Sequence, residues 1–369
     1  MESKRMKIAV ISYHSSPVES VGDGCSGGMS IYLSNLYEKI SRYAEVDILC
    51  RGTKIAEKIG NCNLIYINDL EIERFAEEII GLHKQKKYDI LHSHYWVSGI
   101  IANKIKKVLS CVPWVHSYHT IEVLKRVTED KVRIEAEREI MRSCDFIISP
   151  TLEEKNWIKK SYPGVTVEVI PHGVSREDFP FRKDGSRNIL FAGRIDPVKG
   201  VEKLMESLKF IKGDFTLSVA GGPSKEISYY EDIKYMASDY PVKFLGKVSH
   251  RELHKLYQDS CMLVLPSYYE SFGLVALEAM SCGRPVVGFS DTNLSEVVGK
   301  RAGVFTNRND RDLPRAINFL LNNTSKRYCF GREARKRASV YSWNETSRRY
   351  IEIYGKIIKE YTCNNGPSR

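Results

Sequence analysis

MLVLPSYYESFGLVALE, Met262 to Glu278, reads as a strand, a short loop, a glycine and a helix start in succession. Met262–Leu265 is a continuous apolar run, as in a strand buried on both faces, and Pro266 and Ser267 close it. After Gly273, the residues Leu274 to Leu277 open a helix. The first amides of a helix lack intrahelical partners, so strand, loop and helix end together make an anion site. Two carboxylates flank it. Glu270 sits beside the opening, and Glu278 lies about two turns on, offset by ~80°. Glutamates at this spacing are usually solvated. Here Leu274, Val275, Leu277 and Met280 leave little exposed face, so Glu278 needs a partner. The pair suits hydroxyls at the two ends of a sugar joined through a diphosphate to a ribose.

Working outward, strands and helices alternate along all 369 residues, the pattern of parallel sheets covered on both faces. That length suits two domains. The first half opens with the strand Lys7–Tyr13. A loop with Gly22, Gly24, Gly27 and Gly28 follows, then Met29, Tyr32, Leu33, Leu36, Tyr37 and Ile40 at helical spacing. Further strands read at 46–50, 64–67, 89–94, 113–119, 146–149 and 165–170. Pro171, Phe179-Pro180 and Lys183 to Arg187 form a polar, turn-rich linker. The pattern restarts at 188–193, with later strands at 216–220, 242–245, 262–265 and 285–289. Asp312 reads as a helix cap with Pro314 in the first turn. The domains are therefore expected at 1–175 and 176–344, with a helix at about 345–362 packing back on the first. Two such domains leave a cleft, and ligands of doubly wound sheets bind at the carboxyl ends of the strands.

The chain is 42% hydrophobic and 28% charged, and 56 Lys and Arg against 46 Asp and Glu leave +10. That balance suits an anionic ligand or surface. The clusters at Lys84–Lys87, Lys104–Lys107 and Arg332–Arg337 are short, and no aromatic-interleaved nucleic-acid module accompanies them. The nine cysteines, Cys25, Cys50, Cys62, Cys111, Cys144, Cys261, Cys282, Cys329 and Cys363, contain no CxxC. They read as reduced thiols of a cytoplasmic protein. No stretch approaches the ~20 apolar residues of a membrane span.

Two more strand ends carry chemistry. Gly193-Arg194-Ile195-Asp196-Pro197-Val198-Lys199-Gly200 follows the first strand of the second half. Arg194 offers a planar fork and Lys199 a point charge, and both suit one diphosphate. His92-Ser93-His94-Tyr95-Trp96 and His116-Ser117-Tyr118-His119-Thr120 end two strands of the first half. Their spacing invites a zinc reading, but no third ligand sits at a convincing offset, so they read as hydrogen-bonding or buried histidines. Gly27-Gly28 opens the first helix without a GxGxxG fingerprint, which leaves a dinucleotide cofactor poorly supported.

Taken together, these residues resemble the retaining, nucleotide-sugar-dependent glycosyltransferases of family 4. That family has the α/β GT-B fold, two doubly wound Rossmann-like domains facing across a cleft. The resemblance spans nearly the whole chain: Gly27-Gly28, His119, Gly193 to Gly200, Glu270 to Glu278 and Cys282-Gly283-Arg284-Pro285-Val286-Val287. It implies that Arg194 and Lys199 hold the donor diphosphate and Glu278 the ribose. Glu270 would contact the transferred sugar, with the amides of Phe272, Gly273 and Leu274 closing around it. Gly28 would let the backbone approach the diphosphate, and His119 would contact the donor sugar near the reacting carbon. The family generally needs no bound metal and no cofactor, since the nucleotide sugar, most often a UDP-sugar, is a substrate.

His92 to Gly99 and Gly27 to Tyr32 look most like two branches, the sucrose-phosphate synthases and the inositol-phosphate glycosyltransferases of mycothiol synthesis. Both use phosphorylated acceptors. The resemblance then places Gly27, Ser30, Tyr95, Thr120, Lys125 and Arg133 on the acceptor side. Ser30 stands where the second branch has an acceptor-binding Asn, and a further acceptor-phosphate Lys has no counterpart, so the acceptor stays open. A lipid-linked or polysaccharide acceptor at the inner membrane face, a sugar-nucleotide epimerase and a non-catalytic sensor are the competing readings. The basic clusters would serve the first of these through peripheral contact with anionic lipid.

Overall fold

A computed structural model describes residues 5–18, 27–54, 57–68, 71–127, 129–175, 179, 186–224 and 226–365. Gly22, Gly24, Cys25, Pro180 and Lys183 from the sequence reading lie outside the described residues. The chain forms two compact units. Unit 1 is Met1–Glu122, Glu129–Gly173 and Trp343–Arg369, and unit 2 is Val123–Thr128 and Val174–Ser342.

Unit 1 runs β1 (Lys7–Ser12), α1 (Gly28–Ile40), β2 (Glu45–Arg51), β3 (Glu57–Ile59), β4 (Cys62–Ile67), α2 (Ile72–Lys86), β5 (Ile90–His94), α3 (Trp96–Val108), β6 (Trp114–Ser117), α4 (Lys131–Ser143), β7 (Phe146–Ser149), α5 (Leu152–Ser161) and β8 (Val167–Val169). The sheet order is β3-β4-β2-β1-β5-β6-β7-β8, and every pairing is parallel except β3 with β4. The centre is apolar on both faces because helices cover both. Ile8, Ala9, Val10 and Ile11 are fully buried. Strand order reverses between β1 and β5. Loops leaving their carboxyl ends therefore diverge and open a crevice.

Unit 2 runs β9 (Asn188–Ala192), α6 (Val201–Ser207), β10 (Thr216–Ala220), α7 (Ile227–Met236), β11 (Val242–Gly246), α8 (His250–Asp259), β12 (Met262–Leu265), α9 (Leu274–Ser281), β13 (Val286–Phe289), α10 (Leu294–Val298), β14 (Gly303–Thr306), α11 (Asp312–Asn322) and α12 (Thr324–Ala338). Its order is β11-β10-β9-β12-β13-β14, parallel throughout. One core lies on each face. Leu190, Leu263, Leu265, Leu277 and Met280 build the first, and Ile189, Phe191, Leu204, Leu217 and Val264 the second. The last helix, α13 (Trp343–Asn365), belongs to unit 1, where Tyr350 and Tyr354 are buried.

Two strands go unread in the sequence. β3 is a three-residue edge, and β14 starts at Gly303, where a Cβ would lie 2.4 Å from Val286 O. The cap of α11 also differs. Asp312 is the first helical residue rather than the cap, and Asn309 Oδ1 accepts from Asp312 N at 2.9 Å and from Arg311 N at 3.1 Å.

Candidate functional site

In unit 2 the strand order reverses between β9 and β12, and the two loops leaving there are stitched together. Gly200 has φ +62°, and a Cβ on it would lie 2.0 Å from Pro266 O, so only glycine lets the backbones meet. Tyr268 N donates to Val198 O at 2.8 Å. Asp196 caps the short turn Pro197–Lys199 by accepting from Val198 N at 2.9 Å. That turn aims Lys199 at Glu270. Lys199 Nζ donates to Glu270 Oε1 at 2.7 Å, and Ser267 Oγ donates to the same oxygen at 2.8 Å. Glu270 is 8% exposed. Arg194 is exposed and makes no side-chain bond among the described residues.

Gly273 ends the loop at φ +88°, with a would-be Cβ 2.9 Å from Leu294 Cδ1. Among the described residues no side chain caps α9, which leaves its first amides open just after the loop that carries Glu270. Phe272 beneath them is buried against Tyr341, with ring centroids 5.8 Å apart. Glu278, 5% exposed, has the partners its apolar surroundings demand. Tyr257 Oη donates at 2.8 Å and His250 Nε2 lies at 3.1 Å. His254 Nε2 lies 3.3 Å from His250. Burial and the nearby Glu278 carboxylate push the Tyr257 phenol well above its ordinary range. The structure thus brings Arg194, Lys199, Glu270, Phe272, Gly273, Leu274 and Glu278 to one end of one sheet. His250, His254 and Tyr257 were missed, although their i, i+4, i+7 spacing marks one face of a helix.

In unit 1 the crevice between β1 and β5 is lined differently. Tyr95 follows β5 with φ +72°, and His119 follows β6 with φ +61°. Backbone held this way in bulky residues costs of order 1–3 kcal/mol and gathers at functional positions. Tyr32, Tyr37, His92, His94 and His172 are buried behind them, with Tyr350 and Tyr354 of α13. His94 Nδ1 lies 2.9 Å from His119 Nε2, and Tyr32 Oη lies 2.6 Å from Tyr350 Oη. Burial lowers the His119 imidazole to about 4 and His116 to about 3, and pushes His92, His94 and His172 well down. The i, i+4 pair Tyr350 and Tyr354 was the overlooked signal.

Gly27 precedes α1 with open space where a Cβ would stand, and Gly28 is exposed. Ser30 is buried, and its hydroxyl has no hydrogen-bond partner among the described residues. Lys125 lies in the segment assigned to unit 2. Arg133 is 4% exposed and tightly held. Nε donates to Glu137 at 2.7 Å, Nη1 donates to Tyr95 Oη at 2.9 Å and lies 3.0 Å from the Glu122 carboxylate as an ion pair, and Nη2 donates to Thr120 O and Oγ1 at 2.7 and 2.8 Å. Its direct role here is to hold Tyr95 and Thr120 in place. Burial raises the Glu137 carboxyl, although Arg133 opposes that.

Among the described residues no group of three or more His, Cys, Asp or Glu could hold a metal. No helix of the described chain is long and apolar enough to cross a membrane. The basic clusters are largely spoken for. Lys104 pairs with Glu73 at 2.8 Å and Lys106 with Asp145 at 2.7 Å. Arg335 and Arg337 donate to the backbone carbonyls of Phe179 and Val297.

Comparison with known proteins agrees with this geometry. The model of Glycosyltransferase Family 4 matches residues 26–178, and that of Glycosyl transferases group 1 matches residues 175–337. The D-inositol 3-phosphate glycosyltransferase of Mycobacteroides abscessus is 28% identical over 414 residues, 99% of this chain and 92% of that one. The sucrose-phosphate synthase of Thermosynechococcus elongatus superposes with a TM-score of 0.89 at 25% identity, covering 96% of this chain and 100% of that one. Anabaena Alr3699/HepE, solved with UDP-glucose, gives a TM-score of 0.81 at 17% identity over 95% of this chain and 100% of its own, a likeness of fold. With both halves matched in order and the parallel sheets in place, the chain belongs to the family 4 glycosyltransferases and has the GT-B fold.

Proposed function

We propose that this glycosyltransferase moves a sugar from UDP to a hydroxyl of a small acceptor, with retention of anomeric configuration. The observation that carries the reading is the 2.7 Å pair of Lys199 and Glu270 beside the uncapped start of α9. Fixed cations and open amides are what a departing diphosphate needs. As the bond from the anomeric carbon to the phosphate oxygen breaks, its electron pair goes to that oxygen. Arg194, Lys199 and the amides of Phe272, Gly273 and Leu274 stabilise the charge. The acceptor oxygen bonds to the anomeric carbon on the face the phosphate leaves, and its proton passes to the departing phosphate. Glu270 holds the sugar and Glu278 the ribose. These cations serve in place of a bound metal, and no cofactor takes part.

The HepE complex with UDP-glucose supports UDP, and the D-inositol 3-phosphate glycosyltransferase relative supports a small, phosphorylated acceptor. Gly27, Ser30, Tyr95, Thr120 and Lys125 would contact the acceptor, with Arg133 behind them. We place the reaction in the cytoplasm, where nucleotide sugars are made. The test is transfer from UDP-, GDP- and ADP-sugars to paired phosphorylated and unphosphorylated polyols, with the product anomer read by NMR. UDP-sugar turnover without added metal and with retention is expected. Absence of turnover with every donor, an inverted product, or isomerised donor without acceptor would overturn the reading.

A further inference from the structure

Behind His119, buried phenols and imidazoles form one continuous run of hydrogen bonds in unit 1. Tyr354 Oη of α13 lies 2.5 Å from His92 Nδ1. Tyr37 Oη of α1 lies 2.9 Å from that nitrogen and 2.6 Å from His94 Nε2. His94 Nδ1 lies 2.9 Å from His119 Nε2. Burial keeps all three imidazoles neutral. Each ring therefore carries one proton and one lone pair, placed by the network around it.

The shorter contacts order the protons. His92 Nδ1 has one position in the ring plane and cannot accept from both hydroxyls. The shorter contact assigns that position to Tyr354. The shorter of the two ring contacts of Tyr37, the one to His94 Nε2, takes its proton. His94 then carries its proton on Nδ1 and donates to His119 Nε2, which leaves the His119 proton on Nδ1. That nitrogen has no partner among the described residues and is not buried. The positive φ of His119 fixes where the ring points.

We propose that Tyr37 and His94 are positioning residues that hold His119 in its Nδ1–H form, so that it meets substrate as a neutral hydrogen-bond donor and not as a base. The inference rests on the reading of His119 as a substrate contact. A donor suits a hydroxyl or ring oxygen, whereas a lone pair would repel the same atom. The chain also makes the tautomer of a crevice residue depend on α13.

The test uses the full chain labelled with ¹⁵N-histidine. Long-range ¹H–¹⁵N correlation, with His119 assigned through His119→Asn, is expected to show Nδ1 protonated and Nε2 bare. A proton on Nε2 overturns the proposal, and this readout does not depend on any activity. Tyr37→Phe is expected to mix the His119 tautomers and lower kcat about tenfold, the size of one neutral hydrogen bond, with donor KM within about twofold. A folded variant with unchanged kcat overturns the positioning role. If the variant fails to fold, the wild-type spectrum still decides.

Discussion

The two units share one strand logic and fill its crevice with opposite chemistry. In unit 2 the reversal between β9 and β12 is lined by Lys199, Glu270 and open amides, groups that carry or meet charge. In unit 1 the reversal between β1 and β5 is lined by neutral imidazoles and phenols, buried and bonded to one another. The topology supplies the crevice and says nothing about its contents. A charged crevice is suited to a departing diphosphate, whereas a neutral network orients hydroxyls without competing for their protons.

Acid should separate the units most strongly. His92, His94, His116, His119 and His172 all titrate below the ~6.5 of an unfolded chain. The unfolded state then binds more protons below that pH, so the stabilisation is complete above ~6.5 and is lost as pH falls toward the folded values. Each buried histidine contributes up to ~1.4 kcal/mol per pH unit in that window. All four tryptophans, Trp96, Trp114, Trp157 and Trp343, lie in unit 1. Tryptophan-detected melting should drop steeply from pH 6.5 to 5, ahead of any transition in unit 2. A flat profile would break the contrast.

Lys199→Ala attacks the charged crevice. It should lower kcat by about 10²–10³-fold with tryptophan-detected melting unchanged, and near-normal turnover would remove Lys199 from the chemistry. Gly200→Ala forces a side chain against Pro266 O and should cost unit 2 about 3 kcal/mol, read by calorimetry. Tyr257→Phe takes one hydrogen bond from Glu278 and should weaken UDP binding about fivefold, roughly 1 kcal/mol, by titration calorimetry. Lys104→Ala breaks an exposed pair and should shift stability by under about 0.5 kcal/mol. The same variant should sediment with anionic vesicles no less than the parent does.

The unit 2 crevice was legible because its parts lie in two short stretches, each a strand end followed by a turn. Arg194 and Lys199 come from one, and Glu270, Gly273 and Glu278 from the other. Burial of Glu278 implied a partner, but the identity of Tyr257 depends on how α8 packs. The unit 1 crevice was far less readable. Tyr37, His94, His119 and Tyr354 meet from four elements, and His92 and its phenol partner Tyr354 are 262 positions apart. Arg133 shows the limit in one residue. The resemblance suggested a phosphate contact, and the sequence did not show that Glu137, Tyr95 and Thr120 accept from it and that Glu122 pairs with it.

α13 also sets an order of assembly. A ribosome delivers β1 to β8 first, yet the phenols of Tyr350 and Tyr354 emerge more than 170 residues after β8 ends at Val169. Until then His92 and Tyr32 lack their final partners, and buried polar groups without partners are costly. Apart from Val123–Thr128, which is made earlier, unit 2 is contiguous from Val174 to Ser342 and can close while the nascent chain is still tethered. The half that is made first is therefore the half completed last, and a message cut short after Ser342 would leave unit 2 folded and unit 1 unfinished.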